Sequence, residues 1–370
     1  MICPEPLRKG DRVAVISLSN GILGEPWCAH EKELAERRLR AFGLEPVYTE
    51  HALAGSAVLW DHPELRAADL KAAFLDDSIR GIITAIGGID TFRTFPYLME
   101  DAEFIRAVKE HPKFFLGYSD TTNNHLMFYR LGLQTFYGQA LLPDLAELSD
   151  AMLPYSRAQF ESCFSSYHGR KITPSPVWYE ERTDFSADAL GTERVSHPET
   201  YGYELLQGDP VFEGELLGGC IESLGEMLLS DCAEIYAEKF ARAGLQDAGC
   251  FREQGAVTAR YDIFPSAGEW RGKILFAETS EETPEPERLR VILQALKDAG
   301  VFAALSGIII GKPLNERWYE EYKTVWLETV GRPELPVLYN VNFGHAAPRA
   351  ILPYGAAVRV YAERQEILLL

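Results

Sequence analysis

Residues 113–131 read KFFLGYSDTTNNHLMFYRL. Phe114, Phe115 and Leu116 form a short apolar run, Gly117 and Tyr118 lead into a turn, and Ser119 stands at the bend. Asp120 and Thr121 follow in capping positions for a helix whose apolar residues are Leu126, Met127 and Leu131. Strand, tight turn and helix in this order are the unit of a parallel α/β sheet. A serine at such a turn sits beside the free N–H groups of a new helix, a setting that suits a nucleophile. Taken alone, however, G-x-S-D lacks the second glycine of the usual hydrolase elbow, and a helix-capping serine accounts for it more simply.

The same alternation extends outward in both directions. VAVIS (13–17), Glu45–Tyr48, GIITAI (81–86) and Thr135–Tyr137 read as strands. Helices are expected over Pro26–Phe42, from Pro63 onward with Leu65, Ala68, Ala72 and Leu75 on one face, and over Ala102–Glu110. In open parallel sheets, sites form outside the carboxyl ends of the strands. Gly87-Gly88 and Ser119 both fall there.

Residues 168–201 lose this periodicity and read as a connection or covering loop. A second α/β unit follows, with strands VFEGELLGGC (211–220), KILFAE (273–278), LSGIIIG (305–311) and PVLYNV (336–341). Helices are expected over 222–229, 284–299 and 316–330, and a hairpin at the end. Leu289, Ile292, Leu293 and Leu296 line one side of the second helix, whereas 231–270 shows no clear regularity. The expected division is a nucleophile domain at 1–167, a linker and possible lid at 168–207, and a second domain at 208–370.

Lys and Arg number 36 against 55 Asp and Glu, a net charge of −19. That balance argues against nucleic acid or anionic membranes as main partners. Six cysteines are scattered without C-x-x-C spacing or a companion histidine cluster, so neither zinc nor a disulfide framework is expected. With no signal-like segment and no long apolar run, a cytoplasmic protein is expected.

Glu278 and His345, like Ser119, end apolar runs where polar groups reach a crevice. A serine needs a base to take its proton, and a histidine oriented by a carboxylate supplies one. The bland alternatives stay open on these residues alone: a turn-capping glutamate and a satisfied loop histidine.

The detailed strings go further. The chain resembles the LD-carboxypeptidase family of serine peptidases, which includes the microcin C immunity peptidases. The resemblance runs from LRKGDRVAVISLS to GHAAPRAILPYGAAVRV and rests on GYSDT (117–121), ILFAETSEE (274–282) and Gly344-His345 with LPYG (352–355). It implies a flavodoxin-like parallel-sheet N-terminal domain and a smaller, swivelling α/β C-terminal domain, with the active site at the interface. By the same resemblance Ser119 is the nucleophile, Glu278 the acid and His345 the base. The amides of Gly88 and Asp120 form the oxyanion hole, and Gly87 is a candidate substrate-binding residue. No cofactor or metal is implied, and a homodimer is.

The leading substrate is then a murein tetrapeptide cleaved at its L,D bond. The alternative is an aminoacyl or peptidyl nucleotide, towards which the Ile86-Gly87-Gly88 loop leans. In that branch an aromatic residue stacks on the base, and Tyr203 is the matching position. Lys312 and Glu316 are further candidates for binding charged substrate groups, the reading as a solvated loop being slightly favoured. Residues 230–269 make a longer insertion than the family pattern, expected to shape the cleft or a dimer contact. A non-catalytic binding protein on the same fold, and an esterase, are the readings from other classes.

Overall fold

The structure, a computed structural model, describes residues 1–229 and 249–370. It divides into two compact units. The first comprises Met1–Tyr167, Tyr179–His197 and Ala347–Tyr354; the second comprises His168–Trp178, Pro198–Ala346 and Gly355–Leu370.

Five parallel strands make the core of the first unit: β1 (Arg12–Ile16), β2 (Glu45–Tyr48), β3 (Ile79–Thr84), β4 (Phe114–Gly117) and β5 (Phe136–Tyr137). Their spatial order is β2-β1-β3-β4-β5, and the short strand Leu352–Pro353 adds antiparallel to β5. This is the flavodoxin-like order, whose direction reverses between β1 and β3. The runs VAVI, GIIT and FFLG are buried along nearly their whole length, as expected for strands covered on both faces. The helix Ala102–Glu110 is capped by Asp101, whose side chain accepts from the amides of Glu103 (2.9 Å) and Phe104 (3.0 Å).

One helix turns the opposite face inward from the one its apolar spacing suggests. In Pro63–Leu75 the buried residues are Pro63, Arg66, Ala67, Asp69, Leu70, Ala73 and Phe74, whereas Ala68, Ala72 and Leu75 face solvent. Arg66 and Asp69 are buried because each is paired. Arg66 meets Asp90, and Asp69 accepts from the Thr49 hydroxyl (2.6 Å) and the His51 amide (3.0 Å). Paired charges tolerate burial, and an apolar count does not register them.

The second unit is built on a mixed sheet. Its strands are β6 (Lys171–Ile172), β9 (Glu204–Gln207), β10 (Val211–Cys220), β11 (Lys273–Glu278), β12 (Gly307–Gly311), β13 (Val337–Val341), β15 (Ala357–Tyr361) and β16 (Glu366–Leu369). Strands β7 (Val177–Tyr179) and β8 (Ser196–Pro198) form a separate two-stranded ribbon, and β14 is Leu352–Pro353 of the first unit. The order is β6-β16-β15-β10-β11-β12-β13-β9, with β10 to β13 parallel and the flanking pairs antiparallel. In the helix Pro286–Asp298, Leu289, Ile292, Leu293 and Leu296 are all fully buried, as their spacing predicts.

The segment without clear regularity contains a helix, Gly249–Arg260. Its inner positions include the polar Gln254 and Thr258, one turn apart and both buried, so no apolar stripe announces it. The expected cleft or dimer role of 230–269 lies outside the described residues as far as residue 248.

Candidate active site

Ser119 follows β4 at φ 64°, in the left-handed region that a non-glycine residue enters only when its surroundings hold it there. Its amide donates to the hydroxyl of Tyr137 at 3.3 Å, and a 3-10 turn, Ser119–Thr121, leads into the helix Thr122–Leu131. Thr121, in the cap position, makes no side-chain capping bond. Asp120 accepts from the Thr91 amide (2.9 Å) and the Asn123 side-chain amide (2.9 Å). Asp120 thus ties the serine turn to the loop that follows β3.

That loop is Gly87-Gly88, and it lies against the serine. A Cβ added to Gly87 would stand 2.7 Å from Ser119 Cβ, 2.9 Å from its Oγ and 3.3 Å from the Asp120 nitrogen. Only a glycine permits this approach. The loop is anchored behind by a network that sequence reading missed. Ser19 Oγ accepts from the Ile89 (2.9 Å) and Asp90 (3.1 Å) amides. Arg66, fully buried, holds Asp90 through two bonds of 2.7 and 2.9 Å. The signal for Arg66 was present only as a charge inside a helix.

His125, six residues after Ser119, is no base for it. Nδ1 meets the Thr135 hydroxyl at 2.7 Å and Nε2 the Gly117 carbonyl at 3.0 Å. Burial pushes its pKa down to about 4, against the smaller upward pull of the Gly117 carbonyl, so the ring stays neutral and structural.

In the second unit, Glu278 ends β11 and His345 follows β13, with β12 between these strands. Gly311, the last residue of β12, opens the path: a Cβ there would stand 2.7 Å from Glu278 Cβ and 2.9 Å from the Phe343 carbonyl oxygen. Glu278 reaches across and takes the His345 ring through Nδ1 (2.7 Å) and the His345 backbone amide (3.1 Å). Nε2 faces the carboxylate of Glu281 at 3.1 Å. Burial disfavours the charged ring, but Glu278 and Glu281 outweigh it and hold the pKa of His345 well above the ordinary histidine value.

More carboxylates lie behind this pair. Glu222 accepts from the amide and the hydroxyl of Ser280, both at 2.9 Å, which fixes the turn carrying Glu281. Burial, then Glu282 and Glu278, push the Glu222 pKa up to about 7. The buried Cys220 thiol is raised by burial and stays protonated, donating to Glu222 at 3.3 Å.

The remaining candidates sit elsewhere in the second unit. Lys312, 1% exposed, meets Glu316 at 2.6 Å, Glu199 at 3.0 Å and Asn340 at 3.2 Å. Lys312 and Glu316 are thus partners of each other, and Lys312 is an interior cation rather than an open anchor for substrate. Tyr203 is only 3% exposed and offers no open ring face for stacking in this structure. Its backbone is held by the Gln365 side chain at both N–H and C=O.

Residues 13–138 match the LD-carboxypeptidase N-terminal domain, and residues 213–360 match the LD-carboxypeptidase C-terminal domain. The chain belongs to the LD-carboxypeptidase family. It is therefore a hydrolase of the S66 peptidase class. An MccF-like protein of Streptococcus pneumoniae, solved in complex with AMP, is 44% identical with a TM-score of 0.89, covering 97% of this chain and 98% of that one. A probable murein peptide carboxypeptidase of Bacillus subtilis (strain 168) is 26% identical, covering 95% of this chain and 89% of that protein. The microcin C7 self-immunity protein MccF, in complex with aspartyl sulfamoyl adenosine, shares the fold at 20% identity and a TM-score of 0.77, covering 100% of this chain and 98% of that one. No helix among the described residues of this LD-carboxypeptidase family member is long and apolar enough to cross a membrane.

Proposed function

We propose that this protein hydrolyses an amide bond through a Ser119–His345–Glu278 triad and an acyl-enzyme. The observation that carries the reading is the Glu278–His345 pair, in which a buried carboxylate holds Nδ1 and leaves Nε2 as the proton-transfer atom. Ser119 attacks the carbonyl while Nε2 takes its proton and later delivers it to the leaving amine. Glu278 keeps the ring in the required tautomer and stabilises it when charged. The Gly88 and Asp120 amides bind the oxyanion, the second of them at the start of a helix whose dipole favours negative charge.

For the substrate, we infer an aminoacyl or peptidyl group joined to a nucleotide. The support is the AMP bound to the 44%-identical MccF-like relative. The second reading, the L,D bond of a murein tetrapeptide, is supported by the 26%-identical murein peptide carboxypeptidase. A direct comparison tests this: purified protein with an aminoacyl sulfamoyl adenosine and, separately, with a murein tetrapeptide, following the free amino acid released from each. Faster turnover of the nucleotide conjugate is expected. Cleavage of the tetrapeptide alone overturns the substrate assignment and keeps the mechanism. A serine-reactive probe that labels wild type and Ser119→Ala equally overturns the mechanism itself.

A further inference from the structure

The His345 ring lies between two carboxylates of different character. Glu278, on Nδ1, is buried and fixed by its strand. Glu281, on Nε2, has a side chain 61% exposed on the turn after β11. A serine hydroxyl must deliver its proton to Nε2, the nitrogen that Glu281 faces. We propose that Glu281 is a positioning residue that holds the Nε2 proton of His345 and thereby sets the pH at which the ring becomes able to act as a base. The inference rests on the serine mechanism proposed above.

The chemistry is a single proton. With Glu281 in place, Nε2 carries a proton directed at a carboxylate, and both nitrogens are donors. To act as base, the ring releases that proton to solvent, leaving a lone pair on Nε2 and the Nδ1–H on Glu278. The Glu281 side chain is 61% exposed to water. Its position is nevertheless organised. Ser280 is pinned to Glu222 through both its amide and its hydroxyl, and the Glu282 amide donates back to Ser280 Oγ at 3.2 Å.

Several charged groups among the described residues of the same unit bear on His345. Glu278 comes from β11 and Glu281 from the turn after it; Cys220 and Glu222 stand behind Glu278 from β10 and the helix Ile221–Leu228. Glu282 is neutralised by Arg288 at 2.6 Å. Removing Glu281 takes away the carboxylate at Nε2 and keeps Glu278 at Nδ1.

The test uses Glu281→Gln, Glu281→Asp and wild type, with two readouts. The first is the pH profile of kcat/KM. The second is an NMR titration of the His345 imidazole in the Ser119→Ala background, which needs no activity. Glu281→Gln is expected to move the acid limb and the NMR midpoint to lower pH. On that limb kcat/KM should rise by about two- to fivefold, the range for losing one largely exposed ion pair, with the alkaline plateau unchanged. Glu281→Asp is expected to return both towards wild type. An unmoved NMR midpoint, or a uniform loss of activity at every pH, overturns the inference. A fully active Ser119→Ala enzyme overturns the serine reading instead, and the NMR titration still decides whether Glu281 controls the ring.

Discussion

The serine loop of the first unit and the histidine loop of the second are built from different materials. Around Ser119 the working parts are backbone: a residue at φ 64°, a glycine pressed against the hydroxyl and amides at a helix start. Around His345 they are charges: one ring, two facing carboxylates and a buried acid behind them. Backbone geometry changes little with pH and fails abruptly when altered. Charge clusters change in degree, and their effects follow titration. Substitutions in the serine loop are therefore expected to remove activity without moving the pH profile, and those in the histidine loop to reshape it.

The comparison is broken most directly at the proposed nucleophile. Ser119→Ala should lower kcat on the order of 10⁶-fold at every pH, the scale seen when a triad serine is lost; single-turnover kinetics would show whether acylation is the missing step. On the charged side, Glu278→Gln should lower kcat on the order of 10⁴-fold, because the amide presents the wrong partner to Nδ1 and the ring loses its tautomer. A pH series should show that loss easing as pH rises; a flat loss would place Glu278 with the geometric parts. Gly87→Ala should cost about 10²–10³-fold in kcat, the scale of one disturbed oxyanion donor. Its pH profile should keep the wild-type shape, and a shifted one would mean that the two regions are not separable.

The smallest effect concerns stability. The folded-state pKa of Glu222 is raised from 4.5 to about 7, so the folded protein binds a proton that the unfolded chain has already released. Stability from this group is present below pH 4.5 and is lost as pH rises through 7. Glu222→Gln keeps an oxygen for Ser280 and removes the titration. It should gain about 1–3 kcal/mol over wild type above neutral pH, read from urea midpoints, and nothing under acid conditions. An equal change at both ends would mean that the burial of Glu222 is compensated.

How much of this was legible follows the chemistry of each residue. Apolar runs announced every central strand, because strands buried on both faces have to be apolar. Ser119, Glu278 and His345 were singled out because polar residues of catalytic type ended such runs. The helices Pro63–Leu75 and Gly249–Arg260 were misread or missed, since their inner faces carry Arg66 and Asp69 in one and Gln254 and Thr258 in the other. A polar residue is buried when it has a partner, and partners distant in sequence are invisible to a local pattern.

By itself, then, the sequence determined the two α/β units, their strand order along the chain and the family to which they belong, all properties of local periodicity and ordered motifs. Only the tertiary structure decided that Gly87 abuts Ser119, that Gly311 lets Glu278 reach His345, that Tyr203 is enclosed and that Glu281 faces Nε2. Each of these depends on distances between segments far apart in the chain, and packing sets such distances where composition does not.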